Sequence, residues 1–79
     1  MESDIKSLPK RVGIKQSTEA VASGLAKKAI VAHDADDHLK EPFLELCTQN
    51  GVPVEFYETK QDLGKACGID VGAACAVIL

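Results

Sequence analysis

Apolar positions along this chain switch between helical spacing and short unbroken runs. Ile5 and Leu8 are three apart, so residues 2–8 are predicted as a short helix that Pro9 ends. Residues 11–14 read as a brief extended segment closed by Gly13. Residues 16–23 follow as a helix, with Ala20, Val21 and Leu25 as its apolar stripe and Gly24 as its stop. Ala29-Ile30-Val31-Ala32-His33 is a near-continuous apolar run, the pattern of a strand covered on both faces. After the polar stretch 34–38, residues 42–49 are predicted as a helix with Pro42 near its first position. Phe43, Leu46 and Cys47 lie on one side, and Asn50-Gly51 closes it. Residues 52–57 read as a second strand, which Pro53 assigns to a sheet edge. Thr59 followed by Asp62 resembles an N-cap pair, so residues 60–67 become a helix stopped by Gly68. Residues 73–79 are a last buried strand. Strands alternating with helices predict an α/β fold, a sheet with helices on both faces.

Length limits this pattern to one domain, residues 1–79, with one small core. Only Phe43, Phe56 and Tyr57 are aromatic, so Ala, Val, Ile and Leu must build that core. No apolar run approaches the roughly 20 residues that span a bilayer. The N-terminus lacks the basic-then-apolar layout of a signal peptide, and a cytoplasmic protein with no membrane partner is the expectation. Cys47, Cys67 and Cys75 are an odd set without C-x-x-C spacing, which signals neither a disulfide framework nor zinc; each reads as a small buried apolar residue.

Net charge is −3, which argues against indiscriminate nucleic-acid binding. The distribution changes the picture. Residues 1–31 hold six basic and three acidic side chains, and residues 32–79 hold three basic and nine acidic ones. Local patches decide where phosphate docks, although charge clusters are commonly plain solvated faces.

Enzyme signatures fail. Gly64-Lys65 invites a P-loop reading, but Thr59 stands where a glycine is required and Ala66 where Ser or Thr would hold magnesium. There is no G-x-G-x-x-G, H-E-x-x-H or G-x-S-x-G. The run His33-Asp34-Ala35-Asp36-Asp37-His38 carries metal-ligand types, and a small metal-dependent enzyme would use it. Acids between a strand and a helix more simply cap the helix, and no metal or other cofactor is expected.

Two short segments carry binding chemistry. Gly13 permits close backbone approach, and Lys15-Gln16 stand at a helix start, where free N–H groups favour phosphate. An ammonium can donate to guanine O6 and N7, and an amide can both donate and accept on a base edge. Lys-Gln at a helix start is also ordinary surface decoration. In the second segment, Gly68-Ile69-Asp70-Val71-Gly72 is predicted as a loop with Ile69 and Val71 available to an unstacked base, or with Ile69 tucked beneath it.

Three motifs together resemble a known family: Gly13-x-Lys15-Gln16; Ala32-x-Asp34-Ala35-Asp36 after the first apolar run; and Leu63-Gly64-Lys65-Ala66-Cys67-Gly68-Ile69-Asp70-Val71-Gly72-Ala73-Ala74 before the last. They are similar to the L7Ae/L30e ribosomal-protein superfamily, in its short bacterial YbxF-type branch, across residues from about 11 to 79. The resemblance implies a three-layer α-β-α sandwich around a four-stranded mixed sheet. It implies binding to structured RNA containing a kink-turn, a bent internal loop with tandem sheared G·A pairs; a non-enzymatic monomer is the expectation. The ribosome is a candidate home for that RNA. By the same resemblance Lys15 and Gln16 read the G·A bases, Ile69, Asp70 and Val71 meet an extruded nucleotide, and Lys65 lies near phosphate. Lys10, Arg11 and Lys28 are further candidate phosphate contacts. One residue departs from the pattern: Glu19 stands where the family often has lysine, one turn after Lys15, close enough for an i,i+4 pair. The alternative is a protein-interaction module on the same scaffold, its acidic second half facing a basic partner.

Overall fold

A computed structural model describes residues 8–79; the helix expected over residues 2–8 lies, but for Leu8, outside the described residues. The elements run β1 (Lys10–Val12), α1 (Ile14–Ala22), β2 (Lys28–Ala32), α2 (Asp37–Gln49), β3 (Val54–Tyr57), α3 (Lys60–Cys67) and β4 (Cys75–Ile78). The strands form one sheet in the order β1-β4-β2-β3. β4 lies antiparallel to both β1 and β2, and β2 is parallel to β3, so the sheet is mixed.

The unbroken apolar runs became the two central strands. Ala29, Ile30, Val31 and Ala32 of β2 are buried, as are Cys75, Ala76 and Val77 of β4. Side chains alternate across a strand, so each run feeds two cores. Ala29, Val31, Cys75 and Val77 meet Ala20 and Val21 of α1 and Phe43 and Cys47 of α2. Ile30, Ala32 and Ala76 meet Leu63 and Cys67 of α3 on the other face. Two helices on one face and one on the other give the three-layer α-β-α sandwich.

The helix ends follow simple rules. The three helices of the described residues close with the same 6→1 and 5→2 pair of backbone bonds, made for α1 by Leu25 N–H to Ala20 O and Gly24 N–H to Val21 O. That turn ejects Leu25 from the α1 stripe: it is 57% exposed, and buried Ser17 completes the stripe instead. The largest departure from the sequence reading is α2, which begins at Asp37 and carries Pro42 inside it. Asp36 caps it, its carboxylate accepting from His38 N–H at 2.9 Å. The cap and first-turn Asp37 start the helix well before the proline. Pro42 removes one N–H on an exposed face, where the orphaned carbonyl can meet water. The α3 range and its Thr59 cap, accepting from Asp62 N–H at 2.9 Å, match the sequence reading. Pro53 precedes β3, which is an edge strand.

Candidate nucleic-acid interface

The sheet's register brings the two sequence segments to one end of the molecule. Val12, the last residue of β1, pairs with Ala76 near the start of β4. The next residue, Gly13, donates its N–H to Cys75 O at 2.9 Å. Thus the start of α1 and the loop entering β4 sit side by side. Gly13 adopts φ +102°, a conformation open to glycine at little cost, and turns the chain from strand directly into helix. No side chain caps α1, and its first intrahelical donor beyond the turn is Ser17 N–H to Gly13 O at 2.9 Å. The N–H groups of Ile14, Lys15 and Gln16 therefore face outward at the positive end of the helix dipole. Lys15 and Gln16 are both exposed there. Ser17, one position on, is buried, and its hydroxyl makes no hydrogen bond of full geometry. It does act on the Cys75 thiol, lowering its pKa against a larger upward push from burial; the net result is about 11.

The second segment is stitched to α3. Ile69 N–H donates to Gly64 O, and Ala73 N–H to Lys60 O, both at 3.0 Å. Between those bonds the loop backbone lies directly on the helix. A Cβ at Gly64 would fall 2.1 Å from Val71 O, and one at Gly72 would fall 3.1 Å from the Lys60 Cβ. The loop is thereby held with Val71 outermost, 69% exposed. Asp70 and Lys65 are also exposed. Ile69 is half-buried and packs against the α3-side core, so the tucked alternative describes it, and Val71 is the exposed apolar side chain of the loop. In the sequence Gly64 enters through the rejected P-loop match and the Leu63–Ala74 motif, not through its packing. A glycine inside a helix costs about 1 kcal/mol against alanine, and that cost was the signal of a close backbone approach.

The remaining cations divide by position. Arg11 lies on the α1/α2 face of β1, and with Gln16 and Glu19 it lines a cleft of about 240 Å³. Lys10 is on the α3 face, where its charge offsets part of the burial-driven rise of the Cys67 pKa. Lys10 and Lys28 both pair with Ile78, at the end of the sheet away from Gly13, and Lys28 forms an ion pair with Glu55. The structure does not bring Lys28 to the two segments, whereas Lys10 acts on Cys67, the residue before the 68–72 loop. Among the described residues Lys15 and Glu19 form no ion pair, contrary to the i,i+4 expectation.

A third segment, Ala32 to Asp36, closes the same end of the sheet. Ala32 N–H donates to Ala74 O at 2.9 Å, and His33 N–H to Tyr57 O at 2.7 Å. Asp34 accepts from Lys60 N–H at 2.8 Å and so caps α3 rather than α2. Lys40 Nζ donates to His33 O at 2.7 Å. Of the three carboxylates in this run, Asp34 and Asp36 thus serve backbone N–H groups, and Asp37 pairs with Lys40 at 3.4 Å. The His33 ring stacks on Phe56, centroids 4.6 Å apart at 23°. The sequence reading had not joined these two residues, because β3 register alone decides that they meet.

Known proteins match this arrangement across most of the chain. A model of the Ribosomal protein L7Ae/L30e/S12e/Gadd45 family matches residues 9–79. An RNA-binding protein of Caldanaerobacter subterraneus is 41% identical over 69 residues, covering 86% of this chain and 84% of that protein. The RNA-binding protein YbxF of Geobacillus stearothermophilus is 41% identical over 68 residues, with 86% and 83% covered. Among solved structures, the Giardia lamblia 15.5kD RNA binding protein superposes with a TM-score of 0.82 at 31% identity, covering 89% of this chain and 59% of that one. The sheet, the three helices and the family match over residues 9–79 agree: the chain belongs to the Ribosomal protein L7Ae/L30e/S12e/Gadd45 family.

Proposed function

We propose that this protein binds RNA without catalysing a reaction on it, and that its target is a kink-turn whose bent form it stabilises. The observation that carries the reading is the Gly13 N–H to Cys75 O hydrogen bond, which puts Lys15 and Gln16 beside the loop holding Asp70 and Val71. One group offers base-edge donors and an acceptor, and the other offers an exposed apolar side chain for an unstacked base. A ligand that touches both at once must bend around the end of the sheet. Contacts that exist only in the bent form shift the RNA towards it. Relatives named as RNA-binding proteins support the ligand class.

In this proposal Lys15 and Gln16 read the sheared G·A pairs, Gly13 permits close approach, and Val71 packs on the extruded nucleotide. Lys65 and Arg11 hold phosphates. The working form is a monomer in the cytoplasm, acting on ribosomal RNA or another structured RNA. The test is titration of a kink-turn RNA with the wild type and with Lys15→Ala/Gln16→Ala. Binding should weaken by at least about tenfold, the loss expected for one good bidentate base contact. Equal affinity of the two proteins would sink the site assignment.

A further inference from the structure

We infer that the His33–Phe56 ring pair is a stacking platform for an unpaired nucleobase that flanks the RNA element gripped by α1 and the 68–72 loop. The inference rests on the RNA-binding reading and adds a subsite to it.

The pair is built and then left open. His33 is fixed through its backbone on both sides, by its own N–H on Tyr57 O and by Lys40 Nζ on its carbonyl. Its ring stacks on Phe56 with the centroids 4.6 Å apart and 23° between the planes, within the range of favourable aromatic pairs. Yet Phe56 remains 43% exposed, and His33 is exposed as well. Phe56 sits on β3, the edge strand, so no neighbouring strand covers it. A folding role would be served by burying the phenyl ring. What the chain does is stack two aromatic rings at the surface, within 23° of parallel, on a backbone that hydrogen bonds hold in place.

Position selects the occupant. His33 directly follows Ala32, whose N–H bonds to Ala74 O, the residue before β4. The platform therefore lies about one strand spacing, roughly 5 Å, from the loop entering β4 at His33, and about two, roughly 10 Å, at Phe56. An unpaired nucleotide flanking the proposed site is therefore within reach of the rings. The surroundings favour the face of a base over a phosphate, because Asp34 and Glu55, next to the two rings in sequence, and Glu58, two residues from Phe56, are exposed. Aromatic stacking tolerates any base and prefers none by hydrogen bonding, so purines, with the larger face, should benefit most.

The experiment uses the intact protein and two RNAs. One is a kink-turn with an unpaired purine flanking the internal loop, carried as 2-aminopurine; the other is the same kink-turn fully paired at that flank. The wild type should bind the first RNA more tightly and quench its 2-aminopurine fluorescence. Phe56→Ala should weaken binding of the first RNA by about tenfold and abolish the quench. It should leave the second RNA unaffected, which also shows that the variant folds. Phe56→Tyr should keep both properties. Equal loss on both RNAs, or loss on neither, would overturn the platform. If the wild type binds neither RNA, the kink-turn reading itself fails.

Discussion

The backbone of Val71 lies so close to Gly64 that a Cβ on Gly64 would stand 2.1 Å from the Val71 carbonyl oxygen. That contact, with the Ile69 N–H to Gly64 O bond, fixes where the 68–72 loop presents its exposed side chains. Gly64→Ala should therefore displace the loop. Overpacking of this kind costs about 1–3 kcal/mol, of which about 1 kcal/mol returns as better helix propensity. Urea denaturation should show a net loss of stability, and RNA affinity should fall with it. Lys65→Ala, one position on and exposed, should change stability by less than about 0.5 kcal/mol. A more stable Gly64→Ala protein would refute the loop-packing account.

Charge at the two ends of the sheet should separate cleanly. Lys28 pairs with Glu55 at the end away from Gly13, and Lys65 is exposed on the helix beneath the loop. Lys28→Ala should leave RNA affinity unchanged. Lys65→Ala should weaken binding and reduce the slope of log affinity against log salt by about 0.7 to 0.9. Filter binding at several salt concentrations reads both, and a reduced slope for Lys28→Ala would reverse the proposed orientation of the RNA.

Glu19 lines the same cleft as Arg11 and Gln16 and is not neutralised by Lys15. A carboxylate beside the proposed phosphates should cost affinity through repulsion. Glu19→Lys should tighten kink-turn binding at low salt, with the gain shrinking as the Debye length falls. Gain at every salt concentration alike would mean a direct contact instead.

Much of this was legible before the structure because it rests on local chemistry. The α3 boundaries follow from Thr59 and Gly68, and the buried strands from runs that no amphipathic element would carry. The misplaced start of α2 shows where local rules compete. Proline at a first helical position is common, yet Asp36 with its His38 N–H bond is the stronger start signal, and an exposed interior proline is tolerable. Leu25 left its stripe because the Gly24 turn outranked periodicity. Charge alone makes Lys28 a candidate phosphate contact, whereas strand register places it at the end of the sheet away from Gly13, beside Glu55. The Gly64–Val71 and His33–Phe56 contacts depend on that same long-range register.

The thiols supply a pH test of the core. Burial raises the pKa of all three cysteines, and Cys75 moves from 9.0 to about 11, with the Ser17 hydroxyl opposing and Cys47 adding to the rise. A raised pKa means that the native state keeps protons the unfolded chain releases. Stability is thus unaffected by these groups below about pH 9 and falls as pH rises from 9.0 towards about 11. Denaturation midpoints across that range should decline for the wild type and decline less for Cys75→Ala, compared with each protein's own value at pH 7. The same protonation should keep the native thiols slow towards alkylating reagents at neutral pH.

The central claim is that this end of the sheet selects and stabilises a bent RNA. The direct measurement is fluorescence resonance energy transfer across a kink-turn labelled on its two helical arms, titrated with the protein in the absence of magnesium. Transfer should rise to saturation with wild-type protein. It should stay flat when the tandem G·A pairs are replaced by Watson–Crick pairs. An equal rise with both RNAs, or no rise with the intact kink-turn, would contradict the account.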